Sequence, residues 1–357
     1  MPHRILYIVN PISGTQRKLH IAEQALSLTS REVYSEVALR ETAYAGHAEH
    51  LAREAVDEGF DVVVAVGGDG TVNEVGRALV HTDTALAVLP CGSGNGLARH
   101  IGMPLNAKEA IRIINQHVVH TLDYGVINAH PFFCTCGVGF DAFICERFAR
   151  AGSRGLKTYV ENTLRAGLTY SPQTYSIEID AYEPHKANPQ QLHNCKAFLI
   201  ACANASQYGN DAMIAPFASM KDGLMDVVLI TPFKTYEAPQ VALQLFQGTL
   251  MHNNHVQTYR THRLHITREG EGVAHCDGDP FVTGNELDIH IEPAGLHVVV
   301  NAHKKRRHQN NLLHRSSSWL PQLMRELKQS QDLLLRQTEE DIKKLTEAWK
   351  EKFKNGG

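Results

Sequence analysis

The sequence predicts a two-part α/β and β-rich architecture with a helical C-terminal tail. Over the first 120 residues, short apolar runs alternate with helix-like stretches. The runs lack strict polar alternation, which is how strands buried on both faces of a parallel sheet read. After Thr121 the texture changes to strand-like runs joined by turn-rich loops, one of them holding Pro184 and Pro189. That pattern belongs to an antiparallel sandwich or barrel. We place domains at 1–125, 126–301 and 302–357.

In the first domain the strands fall at 5–9, 33–39, 62–66 and 85–89, with helices at 16–28, 46–58, 72–80 and 106–116. In the second, strands fall at 132–136, 175–179, 197–202, 225–230, 263–267, 287–291 and 297–300, interrupted by a helix over 142–168. In the tail, Leu320, Leu323, Leu327, Leu334, Ile342, Leu345, Trp349 and Phe353 recur at roughly helical spacing behind the basic cluster Lys304-Lys305-Arg306-Arg307.

Composition narrows the function. The chain of 357 residues is 43% hydrophobic and 20% charged, as in ordinary globular proteins. No apolar run reaches the length of about 18 residues that a membrane-spanning helix needs, and the N-terminus lacks the apolar segment of a secretory signal. These features imply a cytoplasmic protein. The seven cysteines follow no metal-binding spacing and read as reduced thiols, and none of the 21 histidines falls in an HExxH arrangement. The net charge of −3 is uneven: from His303 onward there are 13 Lys+Arg against 7 Asp+Glu, and before it 22 against 31. An acidic body argues against a nucleic-acid binder.

The informative feature is the placement of glycines. Three predicted strands each end in a small-residue loop followed by a helix: Asn10-Pro11-Ile12-Ser13-Gly14, Gly67-Gly68-Asp69-Gly70-Thr71 and Gly92-Ser93-Gly94-Asn95-Gly96. In a parallel sheet these loops converge at the edge where open α/β sheets bind ligands. Glycine lets the backbone approach a ligand closely, and helix N-termini attract anions. Together they describe a polyphosphate cradle. A P-loop is excluded by the absence of GxxxxGK[ST], and a protein kinase by the absence of its HRD and DFG motifs.

Gly67-Gly68-Asp69-Gly70-Thr71 with Asn73 and Glu74, together with Asn10-Pro11-x-x-Gly14 and Gly92-Ser93-Gly94-Asn95, resembles the signature of the diacylglycerol kinase catalytic family over about residues 1–301. That group includes sphingosine kinases and is related to NAD kinases and phosphofructokinases. The resemblance implies a Rossmann-like parallel-sheet domain over a β-rich domain, with ATP and Mg²⁺ between them and a lipid hydroxyl as acceptor. Asn10, Gly14, Gly67, Gly68, Asp69, Gly70, Thr71, Asn73 and Ser93 would then bind nucleotide. Thr42 would either contact it or serve as a helix N-cap. Asp69 would help hold Mg²⁺ or the acceptor.

Cys276-Asp277-Gly278-Asp279-Pro280 resembles the family's DGE motif, whose acidic residue activates the acceptor. Asp279 replaces the usual Glu, about one C–C bond shorter, roughly 1.5 Å. Either Asp277 or Asp279 would be the base, or the pair would form an ordinary Asp-Gly hairpin turn. Ser219, Asp222 and Leu224 match a segment that binds a structural Mg²⁺ in bacterial members, or form a plain turn into the strand at 225–230, and Arg154 and Lys157 lie where some members place basic residues near phosphate. Gly137-Val-Gly139-Phe140-Asp141 is shared by both lipid-kinase branches, which leaves a glycerolipid or a sphingoid base as acceptor. The tail would anchor to anionic lipid at the inner membrane face, form a homodimer helix, or pack on its own domain.

Overall fold

The computed structural model of the chain describes residues 2–11, 17–151, 170–180 and 190–302. Along the first half run β1 (His3–Val9), α1 (Arg17–Leu28), β2 (Tyr34–Glu41), α2 (His47–Asp57), β3 (Val62–Gly67), α3 (Asp69–Leu79) and β4 (Ala85–Pro90). β1 pairs in parallel with β2 and β3, and β3 in parallel with β4, in the order β2-β1-β3-β4. Every residue of β3 and β4 is buried. Val-Val-Val-Ala-Val and Ala-Leu-Ala-Val-Leu carry no polar alternation because helices cover both faces and no side meets water. The parallel pairing brings the C-terminal ends of β1, β3 and β4 to one edge.

Two short helices follow, α4 (Gly96–Ile101) and α5 (Ala107–Ile114). Asn106 caps α5 by accepting the Glu109 N–H. The second half contains β5 (Val119–Ile127), β6 (His130–Phe132), β7 (Thr135–Gly139), α6 (Phe140–Ala151), β8 (Gln173–Ile179), β9 (Gln190–Ala197), β10 (Leu199–Ala203) and β11 (Met225–Ile230). It continues through α7 (Ala238–Gln247), β12 (Val256–Thr261), β13 (Arg263–Arg268), β14 (Gly272–Cys276), β15 (Asp279–Thr283) and β16 (Glu286–Val299).

Among the described residues, a six-stranded antiparallel sheet has the order β12-β11-β10-β7-β14-β15. Its inner face packs on β8, β13 and β16 through one apolar layer that includes Val138, Ile200, Val227, Ile177, Ile266 and Ile289. The alternating burial of β8 and β13 is the period-2 signature of strands with one face on that layer. β16 links the halves: it pairs with β13 and β5 and meets β4 in parallel at Val298 and Leu86. Among the described residues, one ten-stranded sheet therefore runs through both halves.

The structure departs from the sequence reading at several elements. The strands expected at 287–291 and 297–300 are one strand, β16, whose register shifts between Glu292 and Leu296. Pro293 has no N–H to give the ladder, so the pairing slips there. β5, β9, β12, β14, β15, α4 and α7 were not anticipated, because their mixed polarity hides the period. The helix expected over 142–168 starts at Phe140 and is described as far as Ala151. The remainder of it, with Arg154, Lys157 and the whole tail, lies outside the described residues. No described helix is long and apolar enough to cross a membrane, and all seven cysteines are free thiols.

Candidate active site between the glycine loops and an acidic turn

The glycine loops after β3 and β4 are pressed together. A Cβ added to Gly92 would lie 2.5 Å from the Gly68 Cα, and one on Gly68 would lie 3.3 Å from the Gly92 Cα. Only glycine permits this approach. The Cys91 N–H donates to the Gly67 carbonyl at 2.8 Å, joining the roots of the two loops. Asn95, at φ +53°, closes the third loop on itself: its Oδ1 accepts the Gly92 N–H at 3.0 Å and its Nδ2 donates to the Gly92 carbonyl at 2.7 Å.

Gly68 is the N-cap of α3, with no side chain capping the helix. Asp69, Gly70 and Thr71 therefore form its first turn, three residues before the helix expected at 72. Gly70 is exposed, and nothing lies within 4 Å of the Cβ position there. An open helix N-terminus flanked by glycine fits an anion such as a nucleotide phosphate.

Asp69 braces this cradle. Its Oδ2 accepts the Asn95 N–H at 2.8 Å and its Oδ1 the Gly96 N–H at 2.7 Å. Burial raises its carboxyl above the ordinary value, the two backbone donors oppose that, and Asp277 adds to it. The Asn10 Nδ2 donates to the Thr71 Oγ1 at 3.4 Å, joining the first loop to the second. Thr42 is buried at the end of β2, where its N–H donates to the Val9 carbonyl at 2.9 Å. It is not a helix cap. The N-cap of α2 is Gly46, and Glu74 accepts the Gly46 and Ala48 N–H groups at 2.9 and 3.1 Å. Ser93 is exposed on the third loop, and Gly14 lies outside the described residues.

Opposite the cradle, Cys276-Asp277-Gly278-Asp279 turns β14 into β15. Asp277 and Gly278 have φ of +51° and +94°, the two left-handed residues of a type I′ hairpin turn, which Asp-Gly favours. The Asp277 carboxylate faces inward. Its Oδ1 accepts the Cys134 and Thr135 N–H groups at 2.7 and 2.9 Å, and its Oδ2 accepts the Phe133 N–H at 2.8 Å and the Asn73 Nδ2 at 2.7 Å. The strand expected at 132–136 is thus split into β6 and β7, because its central amides serve Asp277 instead of a neighbouring strand. A carboxylate has about four lone-pair sites, so Asp277 is fully engaged.

Asp279 differs. Among the described residues no hydrogen bond reaches its carboxylate, and the residue is exposed at the turn. Its carboxyl is nevertheless raised above the ordinary value, chiefly by desolvation. Arg77 on α3 opposes the shift, while Asp277, Glu74 and Asp69 reinforce it. An open carboxylate with raised basicity is the property a general base needs.

Ser219, Asp222 and Leu224 stand apart: no hydrogen bond among the described residues joins them to the glycine loops or the acidic turn. The Asp222 Oδ2 pairs with the Arg260 Nη2 at 2.5 Å and its Oδ1 accepts the Leu224 N–H at 3.3 Å. A cation bound there would have to replace Arg260. Neighbouring Asp226, 3.2 Å from the Arg260 Nε, is pushed up to about 6 by burial, with Arg260 opposing and Asp222 adding to the shift. Asp123, which the sequence reading missed, holds this loop by accepting the Gly223 N–H at 2.8 Å. The described residues contain no cluster of three or more His, Cys, Asp or Glu arranged to hold a metal ion.

Residues 4–127 match the family described as the diacylglycerol kinase catalytic domain, and residues 134–300 match the YegS C-terminal NAD kinase beta sandwich-like domain. Residues 4–127 of the chain belong to the diacylglycerol kinase catalytic-domain family. It is 27% identical over 307 residues to a diacylglycerol kinase of Mycobacterium tuberculosis (strain CDC 1551 / Oshkosh), covering 84% of this chain and 96% of that one. It is 29% identical over 283 residues to a diacylglycerol kinase of Bacillus subtilis (strain 168), covering 77% and 89%. A crystal structure of a diacylglycerol kinase from Bacillus anthracis str. Sterne shares the fold, with a TM-score of 0.63 at 20% identity, covering 84% of this chain and 97% of that chain.

The family's glycine signature thus occupies the edge of the parallel sheet, and its acidic motif occupies a hairpin of the sandwich. Asn95 and Glu74, both within the quoted motifs, emerge as braces of the cradle. Asp141, from the quoted Gly137–Asp141 segment, also borders the site with Tyr208 and His275, and no local spacing marked the last two.

Proposed function

We propose that the chain is a lipid kinase that transfers the γ-phosphate of ATP to a lipid hydroxyl in the cleft between the glycine cradle and the acidic turn. The observation that supports this most is the Asn73–Asp277 hydrogen bond of 2.7 Å, which ties the helix of the phosphate cradle to the turn that carries the open Asp279. A base thereby stands beside a phosphate site, the arrangement phosphoryl transfer requires.

In this reading the N–H groups at the start of α3 and the third loop hold the phosphates. Asp279 takes the proton of the acceptor hydroxyl as its oxygen forms a bond to the γ-phosphorus and the bond to the β–γ bridging oxygen breaks, releasing ADP. Asp277 and Asp69 act as braces that fix the two halves of the cleft. Arg77 supplies positive charge beside Asp279. Mg²⁺, carried with the nucleotide, would neutralise phosphate charge. The acceptor is a glycerolipid or a sphingoid base. We further propose a division near residue 125, a cytoplasmic location with peripheral contact through the basic tail, and Ser219, Asp222 and Leu224 as a secondary Mg²⁺ site that opens when Arg260 swings away.

Radiolabelled ATP with a mixed lipid extract, followed by thin-layer separation, tests the reading. A labelled organic-phase product is the expected result. A labelled water-soluble nucleotide would assign NAD-kinase-like activity instead, and no label in either phase would leave a binding protein without turnover.

A further inference from the structure

Beneath the acidic turn lies a buried polar cluster that the transfer chemistry leaves unused. His275 on β14 is 1% exposed. Its Nε2 lies 3.1 Å from the Asp141 Oδ2 on α6, which also accepts the Tyr208 hydroxyl at 3.2 Å. The Asp141 Oδ1 accepts the Ala142 N–H at 2.8 Å. On the other side of the ring, the Gly278 N–H points at the His275 Nδ1 from 3.4 Å. A backbone amide can only donate, so Nδ1 carries the lone pair and the ring proton sits on Nε2, facing Asp141. The carboxylate selects one neutral tautomer, and that tautomer presents an acceptor to the turn.

The surrounding backbone is built to admit this pair. A Cβ on Gly137 would lie 2.6 Å from the Asp141 Oδ2 and 3.2 Å from the His275 Nε2. The first glycine of Gly137-Val-Gly139-Phe140-Asp141 therefore clears the space in which Asp141 reaches His275. The cluster also extends to the phosphate side: Asn210, two residues after Tyr208, donates its N–H to the Gly94 carbonyl at 3.0 Å. Buried polar groups are costly unless partnered, and these are partnered from the third glycine loop to the acidic turn.

We propose that His275 is a positioning residue for the transfer reaction. Held in its Nε2–H tautomer by Asp141, it accepts the Gly278 N–H and fixes the left-handed pair Asp277–Gly278, so that Asp279 points into the cleft. The inference rests on the lipid-kinase reading above.

Three variants of the full chain separate this role from a structural one. His275→Asn keeps an acceptor at the δ position under Gly278. His275→Gln keeps a donor toward Asp141 but no acceptor there, and His275→Phe keeps neither. Steady-state turnover of the labelled lipid, the KM for ATP and the melting temperature are measured for each. His275→Gln and His275→Phe are expected to lose about 10²-fold in kcat, the scale of a misplaced reacting group, with the ATP KM within about twofold of wild type. His275→Asn is expected to recover most of the loss. Equal kcat for His275→Asn and His275→Gln, or an ATP KM that rises in step with the loss of kcat, overturns the proposal. Should His275→Phe fail to fold, the Asn–Gln comparison still decides. Wild-type protein that yields no labelled lipid defeats the kinase reading itself and this proposal with it, whereas active wild type with unaffected variants defeats this proposal alone.

Discussion

The Asn73 side chain donates to the Asp277 carboxylate across 2.7 Å, joining residues 204 positions apart in the chain. This bond brings the helix that follows the second glycine loop and the hairpin of the sandwich into one site. It also separates the roles of two aspartates that are only two residues apart.

Asp279→Asn removes the open carboxylate and leaves the hydrogen-bonded frame intact. Turnover of labelled lipid should fall by about 10²–10⁴-fold, the range for loss of a general base, with no fall in the melting temperature. A variant that retains activity within tenfold of wild type would remove Asp279 from the mechanism.

Asp277→Asn should behave differently. In either amide orientation an NH2 faces two hydrogen-bond donors that the carboxylate oxygen accepted. The expected result is a loss of stability of about 1–3 kcal/mol together with lost turnover, read by denaturant unfolding and the same assay. Full stability would show that the inward carboxylate is dispensable as a brace.

If Asp279 is the base, as proposed, it should set the acidic limb of the pH profile. Activity needs the deprotonated base, so kcat/KM should fall as pH drops through its pKa, and that limb should lie above the ordinary aspartate value of 3.8. The same shift has a stability consequence. A carboxyl that holds its proton more tightly when folded favours the native state at low pH, and that contribution is lost as pH rises through the folded pKa. Asp279→Asn should abolish both the limb and this pH-dependent loss, which pH-resolved kinetics and thermal melts can follow.

Gly92→Ala should damage the cradle without touching the acidic turn. Its methyl group would meet the Gly68 Cα at 2.5 Å, and separating the two loops should cost about 1–3 kcal/mol, the scale of overpacking. ATP binding measured by calorimetry should weaken, and unaltered binding would show that the loops need not touch.

The glycine loops were legible in the sequence because each follows a strand of unbroken apolar residues, and a parallel sheet sends all such loops to one edge. The Asp-Gly pair was legible both as a motif and as a hairpin turn, and the structure shows that the turn is real. Which helix Thr42 served was not legible: a Thr shortly before a helix has a capping residue's position, yet Glu74 on a different helix does the capping.

By itself, then, the sequence determined the two-part architecture, the sheet edge where the glycine loops gather and the family, since these rest on local periodicity and on residues adjacent in the chain. Only the tertiary structure decided that Asp277 and Asp69 are braces while Asp279 is open, and that His275 and Asp141 meet beneath the turn. A carboxylate's basicity depends on who donates to it, and the donors to Asp277 come from residues 73 and 133–135. No local pattern encodes that encounter; the folded chain creates it by pairing strands and helices distant in sequence.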